Sequence, residues 1–361
     1  MADIPQQIET IEKEIRETPY HKATEHHIGK LRARLAKLKD KEIEVSTPLR
    51  QGSAGRSRFA IRKQGDATIV LIGPPSAGKS TLINKLTNAE SKVAPYAFTT
   101  VTVIPGMMKY KDAFIQILDV PGLIEGARKG KGRGRQVLSV ARNSDLLIIM
   151  TDFDRPNEIS RIVFELEGAG IRINGKPPEV TFEKRGEGGI IIHTNIKQDI
   201  GKDTISEVAG EFGLRNAEIT IKEKLTMDRL IDTFSSSRVY IPAIFVVNKI
   251  DLISSQRYTD IYQCIKISAD NGTGLEELKE EIWEKLGLVR VYLVRRDAEP
   301  SNDNPIIVKK DQNLKELAEK IGTEFAEGKK LAKIWGEGVK FPGQEVSLSN
   351  LVKEGMQVRF L

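Results

Sequence analysis

The chain of 361 residues is longer than one ordinary domain, and two or three domains are expected. Apolar residues at 39% suffice for real cores, while 29% charged residues and a net charge of +6 describe a water-borne protein that leans toward anionic partners such as RNA. The single cysteine excludes an intrachain disulfide framework, no basic-then-apolar leader opens the chain, and apolar runs such as 146–150 are far too short for a membrane span, so the expected setting is the cytoplasm with no membrane partner.

Residues 1–45 read as a helical hairpin. Ile8, Ile11 and Ile15 recur at helical spacing, Thr18-Pro19 interrupts the pattern, and Ile28, Leu31, Leu35 and Leu38 mark a second apolar face. Lys30, Arg32, Arg34, Lys37 and Lys39 interleave with it, either as a solvated helix side or as phosphate contacts. Residues 28–63 hold eleven Lys/Arg against three Asp/Glu, a local excess more informative than the whole-chain charge. His21, His26 and His27 lie close together, but no cysteine or carboxylate set completes a metal site. Residues 46–66 read as a basic, glycine-containing linker.

An apolar strand follows at 68–72, with others at 114–118, 146–150 and 244–247 and helical patterns between them. That alternation predicts an α/β fold with a mainly parallel sheet. The 96 positions from Asp152 to Asn248 far exceed the roughly 30 residues of one βαβ unit. A small inserted α/β domain is therefore expected at 168–240, with strand-like stretches at 179–184 and 189–194, dividing the main domain into 67–167 and 241–289. Cys264, in the apolar run Cys264-Ile265-Lys266-Ile267, reads as a buried small hydrophobe. From 290 to 361, strands at 291–294 and 306–308 and an amphipathic stretch at 314–325 predict a further small α+β module.

The strongest chemical signal is Gly73-Pro74-Pro75-Ser76-Ala77-Gly78-Lys79-Ser80, which satisfies G-x-x-x-x-G-K-[ST] between a strand and the helical stretch that begins at Thr81. Backbone N–H groups of such a loop wrap phosphates, Lys79 reaches the β- and γ-phosphates, and Ser80 ligates Mg²⁺. Asp119-Val120-Pro121-Gly122 ends another apolar strand: Asp119 can hold the metal through water, and Gly122 can offer its N–H to a γ-phosphate. Asn248-Lys249-Ile250-Asp251 ends a third strand, where the Asp251 carboxylate can accept two N–H bonds from the guanine edge. Ser268-Ala269 follows a fourth, with the Ala269 N–H aimed at the guanine oxygen. Each short motif is weak alone; together, in this order and each at a strand's carboxyl end, they specify GTP or GDP as ligand.

The order resembles the translation-factor-related GTPases. Residues 119–127, Asp-Val-Pro-Gly-Leu-Ile-Glu-Gly-Ala, resemble the Obg group, and residues 128–137 and 96–106 look like its DRG branch, the developmentally regulated GTP-binding proteins. Residues 21–38 are similar to that family's N-terminal helix-turn-helix region. The insertion falls where the family carries an accessory α/β domain, and the tail with Ala332-Lys333-Ile334-Trp335-Gly336 resembles a TGS domain, a ubiquitin-like β-grasp module. The resemblance covers essentially the whole chain and suggests a compact, archaeal-type member. It implies a P-loop GTPase in which Thr100, the last threonine of Phe98-Thr99-Thr100, closes on Mg²⁺ and γ-phosphate. It also implies a ribosome or RNA partner rather than DNA, with a protein partner able to dock through the TGS or helical region.

Residue 123, where many GTPases place a water-orienting glutamine, is Leu123, so slow intrinsic hydrolysis is expected. Ser76 stands where potassium-activated relatives often carry asparagine, and its oxygen leaves room for K⁺. Arg128, Lys129, Lys131, Arg133 and Arg135 form either a solvated loop or one that orders on GTP against an anionic surface, and an arginine acting on the phosphate in cis is a third option. The competing functions are a GTP-binding scaffold without turnover and a GTP-spending metabolic enzyme. The latter needs a second catalytic constellation, which the insertion does not supply.

Overall fold

The computed structural model describes residues 4–19, 21–22, 24–46, 65–87, 94–95, 102–120, 133–252, 263–337 and 339–361. The chain forms two compact units, Met1–Ala60 with Glu165–Ile241, and Ile61–Phe164 with Pro242–Leu361. In chain order the first elements are α1 (Ile4–Glu17), α2 (Glu25–Ser46), β1 (Ala67–Ile72), α3 (Lys79–Leu86), β2 (Ala94–Pro95), β3 (Thr102–Tyr110), β4 (Ala113–Asp119), α4 (Arg133–Arg142), β5 (Leu146–Asp152) and α5 (Glu158–Gly168). Next come β6 (Ile171–Ile173), β7 (Val180–Lys184), β8 (Ile190–Thr194), α6 (Lys202–Glu211), β9 (Ala217–Ile221), α7 (Met227–Phe234), β10 (Val239–Ile241), β11 (Ala243–Asn248) and β12 (Ile265–Lys266). The last are α8 (Leu275–Leu286), β13 (Leu288–Leu293), β14 (Pro305–Lys309), α9 (Leu314–Ile321), α10 (Thr323–Ala326), β15 (Leu331–Trp335), β16 (Gln344–Ser347) and β17 (Met356–Phe360).

The larger unit is built on a seven-stranded sheet in the order β12-β11-β5-β1-β4-β3-β2. The five strands from β12 to β4 run parallel, and β3 turns back antiparallel on β4. All six residues of β1 and all seven of β5 are buried, as predominantly apolar strands are when helices cover both sheet faces. β3 was not expected from the sequence, because Pro105 and Gly106 interrupt its pattern. Gly106 is needed there: a Cβ would sit 2.6 Å from Thr87 and 2.8 Å from Ile83, where α3 and its end press on the strand. Cys264 is only half-buried, beside the short edge strand β12, rather than a core residue.

The C-terminal strands form their own sheet, ordered β14-β13-β17-β15-β16, with β13 and β17 parallel at its centre. Counted within the module this is a β-grasp arrangement, with α9 packing its buried Leu314 and Leu317 into the core. Asn313 and Glu316 start α9 with a reciprocal capping box. The module is joined to α8 by one residue, Gly287, whose φ of +61° ends the helix before β13 begins. Leu286, Leu288 and Ile307 share the main domain's core cluster.

In the smaller unit, β6 and β10 pair in parallel and close the two ends of the insertion. The insertion's sheet, β7-β9-β8, packs against α6 and α7. The N-terminal hairpin belongs to this unit through α2. Gly29, Ala33, Ala36 and Asp40 recur on one side of α2; a Cβ on Gly29 would meet Met227 at 3.0 Å and Thr204 at 3.2 Å, and Ala33 and Ala36 enter the insertion's core. Small residues at this spacing let α2 lie close on its neighbours. Asp40 extends the contact by accepting from Ser235 Oγ at 2.7 Å and from Ser237. The expected apolar face of α2 is thus only one of two packed faces. Among the described residues, no helix is long and apolar enough to cross a membrane.

Candidate nucleotide site

The site gathers at the carboxyl ends of β1, β4, β5 and β11, where open parallel sheets take ligands. β1 ends at Ile72, and the chain turns through residues 73–78 into α3. A Cβ on Gly73 would lie 2.2 Å from the Met150 carbonyl oxygen. One on Gly78, where φ is +92°, would lie 2.2 Å from the Asn248 amide nitrogen. Lys79 Nζ donates to the Gly73 and Pro74 carbonyls of its own loop at 3.0 and 2.9 Å. Burial lowers the Lys79 pKa, Asp119 opposes that shift and Arg155 adds to it.

Asp119 ends β4 and is buried. Ser80 Oγ donates to its Oδ2 at 3.0 Å, while Oδ1 is buried without a hydrogen-bond partner. Burial raises the Asp119 pKa, against the pull of Lys79 and the bond from Ser80. A buried carboxylate oxygen with unused lone pairs beside a serine hydroxyl is an oxygen donor set suited to a hard divalent cation, so these residues fit Mg²⁺.

On the other side of the loop, buried Asn248 ends β11. Its amide donates to the Ala77 carbonyl at 2.9 Å and its oxygen accepts from the Ala269 N–H at 2.9 Å. The Ala269 N–H, expected at a guanine oxygen, braces Asn248 here. Ser268 is fully buried, donating its N–H to the Thr273 carbonyl at 3.0 Å. Lys249 follows Asn248 with φ +64°, its Nζ 3.5 Å from Asp152 Oδ2. Asp251 is exposed in the 3₁₀ turn Ile250–Leu252. Pro75, Ser76, Ser80 and Thr81 are exposed as well, with Ser76 at φ +62°. Thr100, Gly122, Leu123 and the cations 128–132 lie outside the described residues, as do the side chains of Arg133 and Arg135.

Two residues outside every nucleotide motif, Asp152 and Arg155, brace the loop. Buried Asp152, last in β5, accepts from Arg155 Nε at 3.1 Å and Nη2 at 2.5 Å, and the same Nη2 donates to the Pro75 carbonyl at 2.9 Å. The guanidinium holds the Asp152 carboxyl below the usual carboxylate range. The available signal was an acid at a strand's carboxyl end with an arginine three residues on.

Residues 68–184 match the family model described as a 50S ribosome-binding GTPase, and residues 187–288 match the one for the C-terminal region of the MMR_HSR1 domain. An uncharacterized GTP-binding protein of Methanocaldococcus jannaschii is 40% identical, covering 98% of this chain and 91% of its own. Ribosome-interacting GTPase 1 of Saccharomyces cerevisiae is 38% identical over 98% of both chains. Developmentally-regulated GTP-binding protein 1 of Xenopus laevis is 41% identical over 96% of both. The chain belongs to the developmentally regulated GTP-binding protein family. As a member of that family it binds guanine nucleotides and hydrolyses GTP. The buried Asn248 bridge and the Arg155–Pro75 bond are how this developmentally regulated GTP-binding protein ties its phosphate loop to the two neighbouring strand ends.

Proposed function

We propose that the chain is a guanine-nucleotide switch that acts on ribosomes or RNA during translation in the cytoplasm. The observation that carries this reading is the near full-length likeness to a yeast protein named for ribosome interaction, joined to a GTPase model described as 50S ribosome-binding. In this reading residues 73–81 wrap the phosphates, with Lys79 on the β- and γ-phosphates. Asp251 reads guanine, while Asn248, Lys249, Ser268 and Ala269 frame the base pocket. Thr100 and the Gly122 N–H close on the γ-phosphate. Ser80, Thr100 and Asp119 hold Mg²⁺, which when bound neutralises charge on the phosphates. Residues 1–45 serve as the helix-turn-helix region, 46–66 as a basic linker, 67–167 with 241–289 as the GTPase domain, 168–240 as the accessory domain and 290–361 as a TGS domain.

Leu123 favours one second reading, a GTP-dependent scaffold with little turnover that docks a protein partner. Single-turnover hydrolysis with and without ribosomes, in K⁺ and in Na⁺, separates the two. Ribosome-stimulated turnover is expected; equal, negligible turnover in every condition leaves the scaffold. The salt comparison reads whether a monovalent ion beside Ser76 contributes.

A further inference from the structure

The cations of α2 do not act as one group. The sequence suggested Arg32, Arg34, Lys37 and Lys39 together, but the fold assigns three of them internal work. Arg32 stands 3.6 Å from Asp228, Lys39 donates to Glu12 at 2.9 Å, and Lys37 donates to the Glu211 carbonyl at the end of α6 at 2.5 Å. Helix geometry explains the division. One side of α2, at Gly29, Ala33, Ala36 and Asp40, is buried on the insertion, and another, at Ile28 and Leu31, is buried as well. At 3.6 residues per turn, the arc left over carries Lys30, Arg34, Lys37 and Lys41. Lys30, Arg34 and Lys41 are exposed, and among the described residues no hydrogen bond or ion pair engages them. His26 and His27 flank the arc and are turned aside to Glu207 and Glu14, each at 3.0 Å.

We propose that Lys30, Arg34 and Lys41 form a phosphate-contacting ridge for double-helical RNA. The inference rests on the ribosome reading above and names the surface and the chemistry it meets. Lys30 and Lys41 stand about three turns, roughly 16 Å, apart along one side of the helix, so the ridge is a straight row of like charges. Among the described side chains no carboxylate stands on this arc, and positive charge held without an acidic neighbour on a rigid element is what releases counterions from a nucleic-acid backbone. Among the described side chains no apolar one stands there either, and a protein interface or a membrane-embedded helix needs an apolar centre. No aromatic side chain offers a platform for stacking single-stranded bases, which leaves the backbone of a duplex, recognised by shape rather than sequence.

The test compares the full chain with the variant K30A/R34A/K41A and with a control, R32A/K39A, which removes only internally paired cations. Binding to a labelled RNA duplex of about twenty base pairs is followed by anisotropy across a salt series, and ribosome binding by co-sedimentation. The ridge variant should bind the duplex at least tenfold more weakly, with the slope of log affinity against log salt smaller by about 2–3. The control should keep the wild-type slope while losing thermal stability. A ridge variant with the wild-type slope, or a wild-type chain that ignores duplex RNA and binds anionic vesicles instead, overturns the proposal. Duplex binding that depends on the ridge, in a chain that never co-sediments with ribosomes, upholds the ridge and removes the ribosome reading.

Discussion

Asn248 donates its side-chain amide to the main-chain oxygen of Ala77 at 2.9 Å, fastening the end of β11 to the phosphate loop. Its own oxygen is taken by the buried Ala269 N–H. Asn248→Ala leaves both partners buried and unpaired, at about 1–3 kcal/mol each. The expected outcome is a lower melting temperature with at least tenfold weaker GTP and GDP binding, both read by calorimetry. Unchanged affinity would show that the loop keeps its shape without the bridge.

Asp251 stands exposed just beyond that bridge, free to face a base. Asp251→Asn should weaken GTP by about 1.5–3 kcal/mol, the scale of a hydrogen bond to a charged group, and improve binding of xanthine nucleotides. Competition between GTP and XTP for the variant checks both halves, and an unaltered preference for GTP removes Asp251 from the base pocket.

Lys79 and Ser80 contact loop carbonyls and Asp119 but not the apolar core. Lys79→Ala and Ser80→Ala should therefore leave the fold intact by circular dichroism and abolish Mg²⁺-dependent GTP hydrolysis. Normal turnover in either variant contradicts the phosphate-loop assignment.

Asp152 orients Arg155 toward the Pro75 carbonyl. Asp152→Asn removes the charge that holds the guanidinium and leaves Lys249 without its nearby carboxylate. Nucleotide dissociation should accelerate several-fold, because the loop loses an external brace while its direct contacts remain. Stopped-flow release of a fluorescent GDP measures it, and an unchanged rate would make the pair purely a matter of folding.

Tyr110 closes the β3–β4 hairpin on α8, donating its hydroxyl to Glu280 at 2.7 Å while Lys111 reaches the same carboxylate at 2.6 Å. The bond to Glu280 pushes the phenol up to about 12. A folded pKa above the ordinary tyrosine value of about 10 means the contribution is whole below that pH and is lost as pH climbs toward 12. Glu280 is shifted the other way, chiefly by Lys111 and then by Tyr110, so its share is lost only as pH falls through a value below the usual carboxylate range. An absorbance titration should show a step near 12 that Tyr110→Phe removes. Its persistence in that variant would assign the step elsewhere.

The nucleotide motifs and the buried strands were legible because each imposes a local pattern. β1 and β5 carry the apolar runs 69–72 and 146–150 and are buried throughout, and residues 73–80 have few other uses. What the sequence hid depends on distant partners. β3 lost its signal to Pro105 and Gly106, the glycine being required by the approach of α3. β9 alternates properly but is only five residues long and is flanked by patterns that read as helical. The second packed face of α2 uses glycine and alanine, which no hydrophobic periodicity reveals, and so the division of its cations stayed out of reach. The Asp152–Arg155 pair belongs to no motif, and its meaning comes only from the Pro75 carbonyl above it.

Gly287 is the whole of the covalent joint between α8 and the C-terminal sheet. A tethered module explores a volume, and its grip on a partner is governed by effective concentration and linker length. This module has no such slack, and with Leu288 and Ile307 anchored in the same core as α8 it behaves as a lever arm fixed to the helix. A partner that holds both the module and the GTPase domain therefore gains or loses through angle rather than reach. Lengthening the joint by a few flexible residues would return slack to the module only by loosening the seating of Leu288 and Ile307 beside α8.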